Sequence, residues 1–527
     1  MRRCDLRALA HAAIGVLWVC SAYAGAPIEL IVAADHPGST IDRNIFGQFA
    51  EHLGAGIYGG IWVGKDSSIP NVRGIRSDVV TALRALQVPN VRWPGGCFAD
   101  EYHWRDGVGP PAKRKSTINA NWGAAQEPNS FGTDEFMDFI AQIGSEAYVS
   151  VNVASGTPRE AADWLAYMTA PTSTSAGEER AANGHPEPYR VKFLGIGNES
   201  WGCGGAMTPE YYLSQLKIYS RFVRNYNPAQ TGEQAMRRIA VGADGGTTDY
   251  PEAIMKAWHD KVWSWDIEGL SLHSYTTAGW PPKHPSTHFD EREYALMLKE
   301  TLAMDGLISK HSAIMDAYDP QQKILLAVDE WGVWLAPTAG THPGFLVQQN
   351  SLRDALLASL NFNIFARHSD RVRMANIAQM VNVLQAMIMT DRERMVLTPT
   401  YHAFRMYVPF QDATYLPVKV DGGTYTEGAT SVPRVDSIAA LDHQGHIWLA
   451  ITNLDARESV RISVTLGGAG ARAARGEVLT AQQVDSVNTL EVPQAVSPRP
   501  FASLAASGAL TLDVPAKSLV VVQLEQG

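Results

Sequence analysis

The chain has 527 residues, of which 45% are hydrophobic and 19% are charged. This composition is typical of a globular protein with a large core, and it excludes disordered, collagenous and coiled-coil chains. The formal net charge is −10, so a nucleic-acid partner is not expected, because phosphate-binding surfaces need clustered Lys and Arg. At about 100–200 residues per domain, the length indicates two or three domains, or one barrel-sized domain with a smaller one.

Residues 1–24 have the features of an export signal. Three arginines surround the start of an apolar run, and Ala22-Tyr23-Ala24 fits the small-x-small cleavage rule. A lipid anchor on Cys20 is disfavoured, because Val19 stands where a small residue is needed. We therefore expect cleavage near Ala24 and export to the periplasm or the extracellular space. No later stretch approaches about 18 consecutive apolar residues, so the mature chain is expected to have no membrane contact.

Alternating strand and helix patterns over residues 45–395 predict a catalytic (β/α)8 barrel. The predicted strands are Gly47–Glu51, Val88–Trp93, Ala147–Val153, Val191–Asn198, Ile239–Ala243, Gly269–Tyr275, Ile324–Glu330 and Met374–Met380. Seven of them end at or beside a polar or charged residue, namely Glu51, Arg92, Asn152, Glu199, His273, Glu330 and Gln379. The carboxyl ends of barrel strands meet at one mouth, so this pattern predicts a polar site there. Strands that merely reach the surface would explain one such ending better than seven.

Residues 396–527 change to short alternating strands and predict a jelly-roll-like antiparallel β-sandwich. The predicted strands are Ser437–Leu441, His446–Asn453, Val460–Val464, Leu510–Asp513 and Ser518–Leu524. The stretches 467–476 and 497–508 are expected to be loops. Segment 25–44 contains the apolar run Pro27–Ala34, which has no role in a barrel, so we expect it to add a strand to the sandwich.

Two of the predicted barrel strands deliver a glutamate to the mouth. An apolar run ending at Ile196 leads to Asn198-Glu199, and a second apolar run ending at Val328 leads to Glu330. Retaining glycoside hydrolysis needs two such carboxyls: one is protonated and donates to the leaving oxygen, and the other is ionised and attacks the anomeric carbon. The pair, after strands 4 and 7, therefore predicts a glycosidase.

Seven motifs occur in order along the chain: Phe46–Gly54, Val91–Gly96, Phe131–Phe136, Gly156–Trp164, Gly195–Glu199, Ser271–Tyr275 and Ala378–Val383. Together they resemble glycoside hydrolase family 51, whose members are mostly α-L-arabinofuranosidases. The resemblance runs from about Ile28 to the C-terminus. It implies that Glu199 is the acid/base and Glu330 the nucleophile. It also implies six sugar-binding residues: Glu51, Arg92, Asn198, His273, Tyr275 and Gln379.

The resemblance implies a retaining exo-glycosidase that releases terminal α-L-arabinofuranosyl units from arabinan, arabinoxylan or their oligosaccharides. It also implies a homo-oligomer and no cofactor. Two alternatives stay open at this point. One is another retaining barrel glycosidase, such as a β-xylosidase or an endoglucanase, because the same carboxylate pair would serve it. The other is a catalytically silent glycan-binding protein, although the presence of both glutamates disfavours it.

Cys97 departs from the family pattern, in which many members carry Asn after the Pro-Gly-Gly turn. Cys203 lies four residues beyond Glu199, so both cysteines belong to mouth loops, after strands 2 and 4. They either form a disulfide beside the pocket or remain free apolar liners. Export to an oxidising compartment and the glycines around both residues favour the disulfide.

No metal site is expected. His284 and His288 have ligand-like spacing, but Pro285 disfavours the helix that would align their rings. Aromatic rings stack on sugar faces, so we expect two or three tryptophans near the motifs to line the cleft. The candidates are Trp62, Trp93, Trp104, Trp201, Trp280, Trp331 and Trp334.

Overall fold

The computed structural model describes residues 27–467, 469–506 and 510–526. The predicted export signal lies outside these residues. The described part contains a closed barrel of eight parallel strands and a separate, mostly antiparallel ten-stranded sheet, which confirms the predicted fold class. The barrel strands, numbered 1 to 8 in chain order, are Gly47–Phe49, Asn90–Trp93, Glu146–Val151, Val191–Ile196, Arg237–Asp244, Gly269–Thr276, Leu325–Val333 and Val372–Ala378.

Nine α-helices lie in the described part of the chain, and one helix follows each barrel strand except strand 3, which two helices follow. They are α1 (Ser77–Ala85), α2 (Thr133–Ile143), α3 (Pro158–Thr169), α4 (Ser175–Ala182), α5 (Pro209–Phe222), α6 (Asp249–His259), α7 (Glu291–Tyr318), α8 (Leu352–Arg367) and α9 (Pro399–Met406). Helix α9 follows strand 8 as the eighth barrel helix, so the last βα unit extends past residue 395.

The barrel is a packed core, because side chains from its strands fill the interior. One buried cluster contains Tyr148, Phe193, Ile239, Leu325, Ala327 and Met374. Strand 7 is buried along its whole length, which explains why its sequence is a nearly continuous apolar run. Capping residues precede several helices. Thr157, for example, directly precedes α3, and its side chain accepts a hydrogen bond from the backbone N–H of Glu160 in the first turn.

The second sheet folds over its own core as a sandwich. Its strands are Ile28–Val32, Thr414–Leu416, Val418–Val420, Val435–Leu441, Ile447–Asn453, Val460–Leu466, Ala469–Thr480, Arg499–Leu504, Leu510–Val514 and Ser518–Gln526. Ala469–Thr480 first pairs with Val460–Leu466 and then with Ser518–Gln526, so it joins two layers. Residues from both layers share one buried cluster, including Leu30, Ile462, Leu449 and Val520.

The N-terminal segment pairs with this sandwich. Ile28–Val32 runs parallel to Val460–Leu466 and antiparallel to Val418–Val420. The first strand therefore ties the start of the described chain to the C-terminal sheet, while the following residues enter strand 1 of the barrel.

Two predicted loops of the sandwich are wrong. The stretches 467–476 and 497–508 contain parts of the strands Ala469–Thr480 and Arg499–Leu504, which pair with each other. A Cβ at Gly476 would lie 2.0 Å from the carbonyl oxygen of Val521. The glycine therefore reflects close backbone approach inside a sheet rather than a turn.

Four short two-stranded ribbons complete the β-structure of the described residues. They are Asn71–Val72 with Ile75–Arg76, Thr117–Asn119 with Ala125–Glu127, Ile388–Asp391 with Arg394–Leu397, and Thr424–Glu427 with Thr430–Pro433. Among residues 27–467, 469–506 and 510–526, no helix combines the length and apolar character needed to span a bilayer.

Candidate active site

Arg92 of strand 2 contacts predicted site residues from two other barrel strands, Glu330 of strand 7 and Asn198 after strand 4. Its Nη1 donates to Glu330 Oε1 at 2.6 Å and its Nη2 donates to Asn198 Oδ1 at 2.5 Å. The guanidinium is buried, and its carbon lies 4.7 Å from the centre of the Phe49 ring. A buried guanidinium bonded to a carboxylate favours the ionised form of that carboxylate. Arg92 therefore holds both Glu330 and Asn198 in one orientation.

Both carboxylate oxygens of Glu330 are engaged. The Tyr275 hydroxyl donates to Oε2 at 2.8 Å, opposite the Arg92 contact on Oε1. A Cβ at Gly96 would lie 2.9 Å from Oε1, so the Pro-Gly-Gly turn after strand 2 approaches the carboxylate as closely as a backbone can. Glu330 is thus held in one position within the barrel mouth by a donor on each oxygen.

Glu199 lies opposite, on the loop after strand 4. Its Oε1 is 2.8 Å from Nδ1 of His273. Burial and the negative charge of Glu330 raise the pKa of the Glu199 carboxyl. One carboxylate oxygen of Glu199 and one of Glu330 lie within 4.8 Å of each other. The two carboxyls therefore differ: Glu199 is biased toward its protonated form, whereas Glu330 is held by a cation.

His273 of strand 6 lies between the two glutamates. Its Nδ1 is 2.8 Å from Glu199 Oε1 and 3.5 Å from Glu330 Oε2. Burial alone would lower the pKa of the imidazole, but the negative charges around it outweigh burial and raise the pKa to about 10. The surrounding carboxyl groups therefore favour the imidazolium form of His273.

Glu51 closes the other side of the site. Its Oε1 accepts the N–H groups of Gly96 at 3.0 Å and Phe98 at 3.1 Å, and the Trp122 indole N–H at 2.9 Å. Its Oε2 accepts from Gln379 Nε2 at 2.8 Å. Burial and the charge of Glu330 raise the pKa of Glu51 from 4.5 to about 7. The structure thus brings all eight predicted catalytic and sugar-binding residues to one mouth.

Cys97 and Cys203 are joined by a disulfide with a Cα–Cα distance of 5.5 Å. The bridge ties the loop after strand 2 to the loop after strand 4. Its Cys203 sulfur lies 3.4 Å from Glu199 Oε2 and accepts from Asn198 Nδ2 at 3.7 Å. The disulfide is therefore part of the wall beside Glu199.

Three residues of the site were not anticipated from the sequence. Trp122 contacts Glu51 from a loop with no motif of its own. Asp329 lies beneath the site and directly precedes Glu330 in the sequence. A charged residue inside an otherwise apolar strand is the signal that points to it. Asp100 accepts the backbone N–H groups of Val153 at 2.7 Å, Ala154 at 3.1 Å and Asn198 at 2.9 Å. It thereby holds the loops after strands 3 and 4 to the loop after strand 2.

The candidate tryptophans divide by burial. Trp93, Trp104 and Trp331 are fully buried core residues, and Trp62 is nearly so. Trp201 and Trp334 are partly exposed, and Trp280 is 70% exposed. Trp334 packs edge-on against Tyr275 with ring centres 4.9 Å apart. Trp334 therefore lies beside one residue that anchors Glu330, whereas Trp280 packs edge-on against Trp334 and Trp201 lies edge-on to His273.

The chain is similar to known arabinofuranosidases over nearly its whole length. Residues 82–290 match the family model of the "alpha-L-arabinofuranosidase 1 domain", and residues 329–518 match that of the "alpha-L-arabinofuranosidase C-terminal domain". An "intracellular exo-alpha-L-arabinofuranosidase" of Bacteroides ovatus is 44% identical over 94% of this chain and 95% of its own.

Solved structures agree with this similarity. The family 51 arabinofuranosidase of Xanthomonas axonopodis pv. citri is 51% identical, with a TM-score of 0.91 over 94% of this chain and 100% of that one. The α-L-arabinofuranosidase of Thermotoga maritima, solved as an arabinose complex, is 30% identical, with a TM-score of 0.80 over 95% of this chain and 100% of that one.

A (β/α)8 barrel with a buried, unequal carboxyl pair at its mouth defines a glycoside hydrolase. These relatives make the assignment specific. The chain belongs to the α-L-arabinofuranosidases of glycoside hydrolase family 51, which confirms the predicted resemblance and removes the silent glycan-binding alternative.

Proposed function

We propose that the enzyme hydrolyses terminal α-L-arabinofuranosides by a retaining double displacement, with Glu330 as nucleophile and Glu199 as acid/base. The observation that carries this proposal is the separation of at most 4.8 Å between oxygens of the two carboxyls. Retaining glycosidases place their carboxyls about 5–5.5 Å apart, whereas inverting enzymes leave about 6.5–9.5 Å for a water molecule.

In the first step Glu330 attacks the anomeric carbon. Arg92 and Tyr275 hold its oxygens, while Glu199 donates its proton to the leaving oxygen. Formation of the glycosyl ester removes the negative charge of Glu330, which is one cause of the raised pKa of Glu199. The pKa of Glu199 therefore falls in the intermediate, and the same carboxylate becomes the base that activates water.

The remaining predicted residues hold the sugar. Asn198 uses Oδ1 to accept from Arg92, which leaves its Nδ2, now directed at the Cys203 sulfur, to donate to the 2-hydroxyl. Glu51 and Gln379 are bonded to each other and present the carboxylate and amide groups that recognise sugar hydroxyls. His273 orients Glu199 through the bond at its Nδ1.

Two experiments test the proposal. Proton NMR of the first-formed product should show the retained α-anomer of arabinofuranose, and an inverted first product would contradict the mechanism. A panel of nitrophenyl glycosides should show preference for the α-L-arabinofuranoside. Faster hydrolysis of a xyloside or a cellobioside would favour the other retaining barrel glycosidases that share this carboxylate pair.

The natural substrates that we propose are arabinan, arabinoxylan and their oligosaccharides, attacked at non-reducing ends. The printed name of the Bacteroides ovatus relative describes an exo-acting enzyme, which supports this mode. Arabinose release measured by chromatography from branched arabinan, linear arabinan and arabinoxylan ranks the polymers. Release of internal oligosaccharides instead of monomer would contradict the exo mode.

We also propose that the enzyme is exported after cleavage near Ala24. The signal-like segment and the disulfide beside Glu199 support export, because disulfides persist in oxidising compartments. The name of the Bacteroides ovatus relative places that protein inside the cell, so location needs a direct test. N-terminal sequencing of enzyme from each cell fraction should show a chain starting at Gly25 outside the cytoplasm. A chain starting at Met1 in the cytoplasm would contradict export.

A homo-oligomer is the assembly that we propose. Helix α5 exposes Tyr211, Ile218 and Phe222, each at least 44% exposed, on one side of the barrel, and exposed apolar faces of this kind mark association surfaces. Light scattering should give a multiple of the chain mass, and a mass of one chain would contradict the assembly.

A further inference from the structure

Asp329 is buried directly beneath the carboxyl pair. Its Oδ2 accepts the Tyr148 hydroxyl at 2.6 Å and lies 3.8 Å from Arg92 Nε. Its Oδ1 accepts the Ser271 hydroxyl and lies 3.4 Å from Nε2 of His273. The side chain is only 2% exposed. Asp329 therefore contacts the two cations of the site from below, on the side away from the mouth.

The two cations each contact a catalytic carboxyl on their other side. Arg92 donates to Glu330, and His273 has Nδ1 directed at Glu199. A histidine whose far nitrogen faces a carboxylate is held in one ring orientation, and its protonated form is stabilised. We infer that Asp329 is a positioning residue for His273, which it holds as an imidazolium between the two catalytic carboxyl groups.

The charges around the imidazole support this role. The acidic groups that face His273 are Glu199 after strand 4, Asp244 at the end of strand 5, and Asp329 and Glu330 of strand 7. Glu199 must hold a proton in the resting enzyme and Glu330 must lose and regain its charge. Asp244 is exposed, so water and salt screen its charge. Asp329 is therefore the buried partner of His273 that keeps its charge throughout. Although burial alone would raise it, the pKa of Asp329 is lowered to about 2, mainly by His273 and Arg92.

This arrangement has a consequence for catalysis, which rests on the proposed roles of Glu199 and Glu330. The imidazolium lowers the pKa of Glu199 and so opposes part of the upward shift caused by burial and Glu330. Without the charge of Asp329 the imidazole loses its proton more readily. Glu199 would then hold its proton to higher pH, and the alkaline limb of kcat/KM would move upward.

The test is the pH dependence of kcat/KM for Asp329→Asn on an arabino-oligosaccharide, whose sugar leaving group needs the proton of Glu199. We expect the alkaline limb to move up by at least half a pH unit. Asp134→Asn is the matched control, because Asp134 of helix α2 is also a buried carboxylate that accepts from two hydroxyl groups, in this case those of Tyr167 and Tyr189. Its limbs should coincide with those of the wild type. Limbs of Asp329→Asn that stay in place or move down would overturn the inference.

A second variant separates a specific role from general damage. His273→Gln should also move the alkaline limb upward, because it removes the imidazolium itself. When Asp329→Asn is added to His273→Gln, the alkaline limb should no longer move upward. It should stay or move down, because the only change is then the loss of a negative charge that acts directly on Glu199. If Asp329→Asn fails to fold, the single variant His273→Gln still decides, since an unmoved alkaline limb would contradict the inference.

A third variant distinguishes this inference from the proposed function. Glu199→Ala, assayed in parallel with a good leaving group, should lose the alkaline limb and gain activity with azide. A wild-type alkaline limb in Glu199→Ala would contradict the proposed acid/base, whatever Asp329→Asn does. A Glu199→Ala variant that behaves as expected, beside unmoved limbs in Asp329→Asn, would refute only the role of Asp329.

Discussion

The disulfide between Cys97 and Cys203 should contribute both stability and acid/base geometry, and a Cys97→Ser/Cys203→Ser double variant removes both. The bridge spans 106 residues of sequence. Loop-closure entropy for a loop of that length corresponds to about 5 kcal/mol of unfolding free energy, and removal of native disulfides commonly costs about 2–5 kcal/mol. We therefore expect the free energy of unfolding to fall by about 2–5 kcal/mol.

The same variant should be selectively impaired with poor leaving groups. The Cys203 sulfur lies 3.4 Å from Glu199 Oε2, so loss of the bridge loosens the loop that carries the acid/base. Nitrophenolate departs with little protonation, whereas a natural sugar leaving group needs the proton of Glu199. The rate ratio between nitrophenyl arabinofuranoside and arabino-oligosaccharide should therefore rise in the double variant.

Denaturant unfolding measures the change in the free energy of unfolding, and the rates on the two substrates measure the change in the rate ratio. Cys203 is exposed, so mild reduction of the wild-type enzyme should reproduce both effects without mutation, while the reduced double variant should not change further. A fall in the free energy of unfolding below about 0.5 kcal/mol, together with an unchanged rate ratio, would contradict both expected effects of the bridge. So would two freely alkylated thiols in the native oxidised protein.

Three further outcomes are expected. Azide should restore activity to Glu330→Ala with a product of inverted configuration and to Glu199→Ala with retained configuration, whereas wild-type rates in both variants would refute the assigned pair. Gly96→Ala should lower kcat and destabilise the folded enzyme by about 1–3 kcal/mol, because the added Cβ would lie 2.9 Å from Glu330 Oε1. The control is Gly306→Ala on helix α7, where the added Cβ meets open space, and this variant should be neutral or stabilising. Because the pKa of Glu51 rises from 4.5 to about 7 on folding, the folded state binds its proton more tightly, and wild-type stability should fall as pH rises through that window. Glu51→Gln should flatten this fall in a thermal-unfolding series, and an equally steep fall in the variant would contradict it.

The barrel could be predicted from the sequence because each strand is a short apolar run followed by a polar residue. Each of the eight expected strands overlaps one in the structure, even where the bounds differ, as in Val88–Trp93 against Asn90–Trp93. The sandwich was harder, because a strand such as Ala469–Thr480 contains glycine and small residues that fit under a neighbouring backbone. In isolation, that composition is also typical of a loop.

The site also contains residues that the sequence predicts and residues that it does not predict. Residues that end strands or follow them closely, such as Arg92 and Glu330, could be found because parallel strands deliver their ends to one mouth. Trp122 and Asp100 come from long loops, and only the closed barrel brings them to Glu51 and Asn198. Asp329 stands one residue from Glu330, but its partners on strands 2, 3 and 6 are set by barrel register, which no local pattern specifies.

In the proposed mechanism Glu330 forms a covalent bond to the sugar. A 2-fluoro-α-L-arabinofuranoside with a good leaving group slows the second step more than formation of the intermediate, so the glycosyl-enzyme should accumulate. Intact-mass spectrometry should show one fluoroarabinosyl unit per chain, and peptide sequencing should place it on Glu330. A label on any other residue, or complete turnover of the inhibitor with inverted product and no labelled enzyme, would contradict the account.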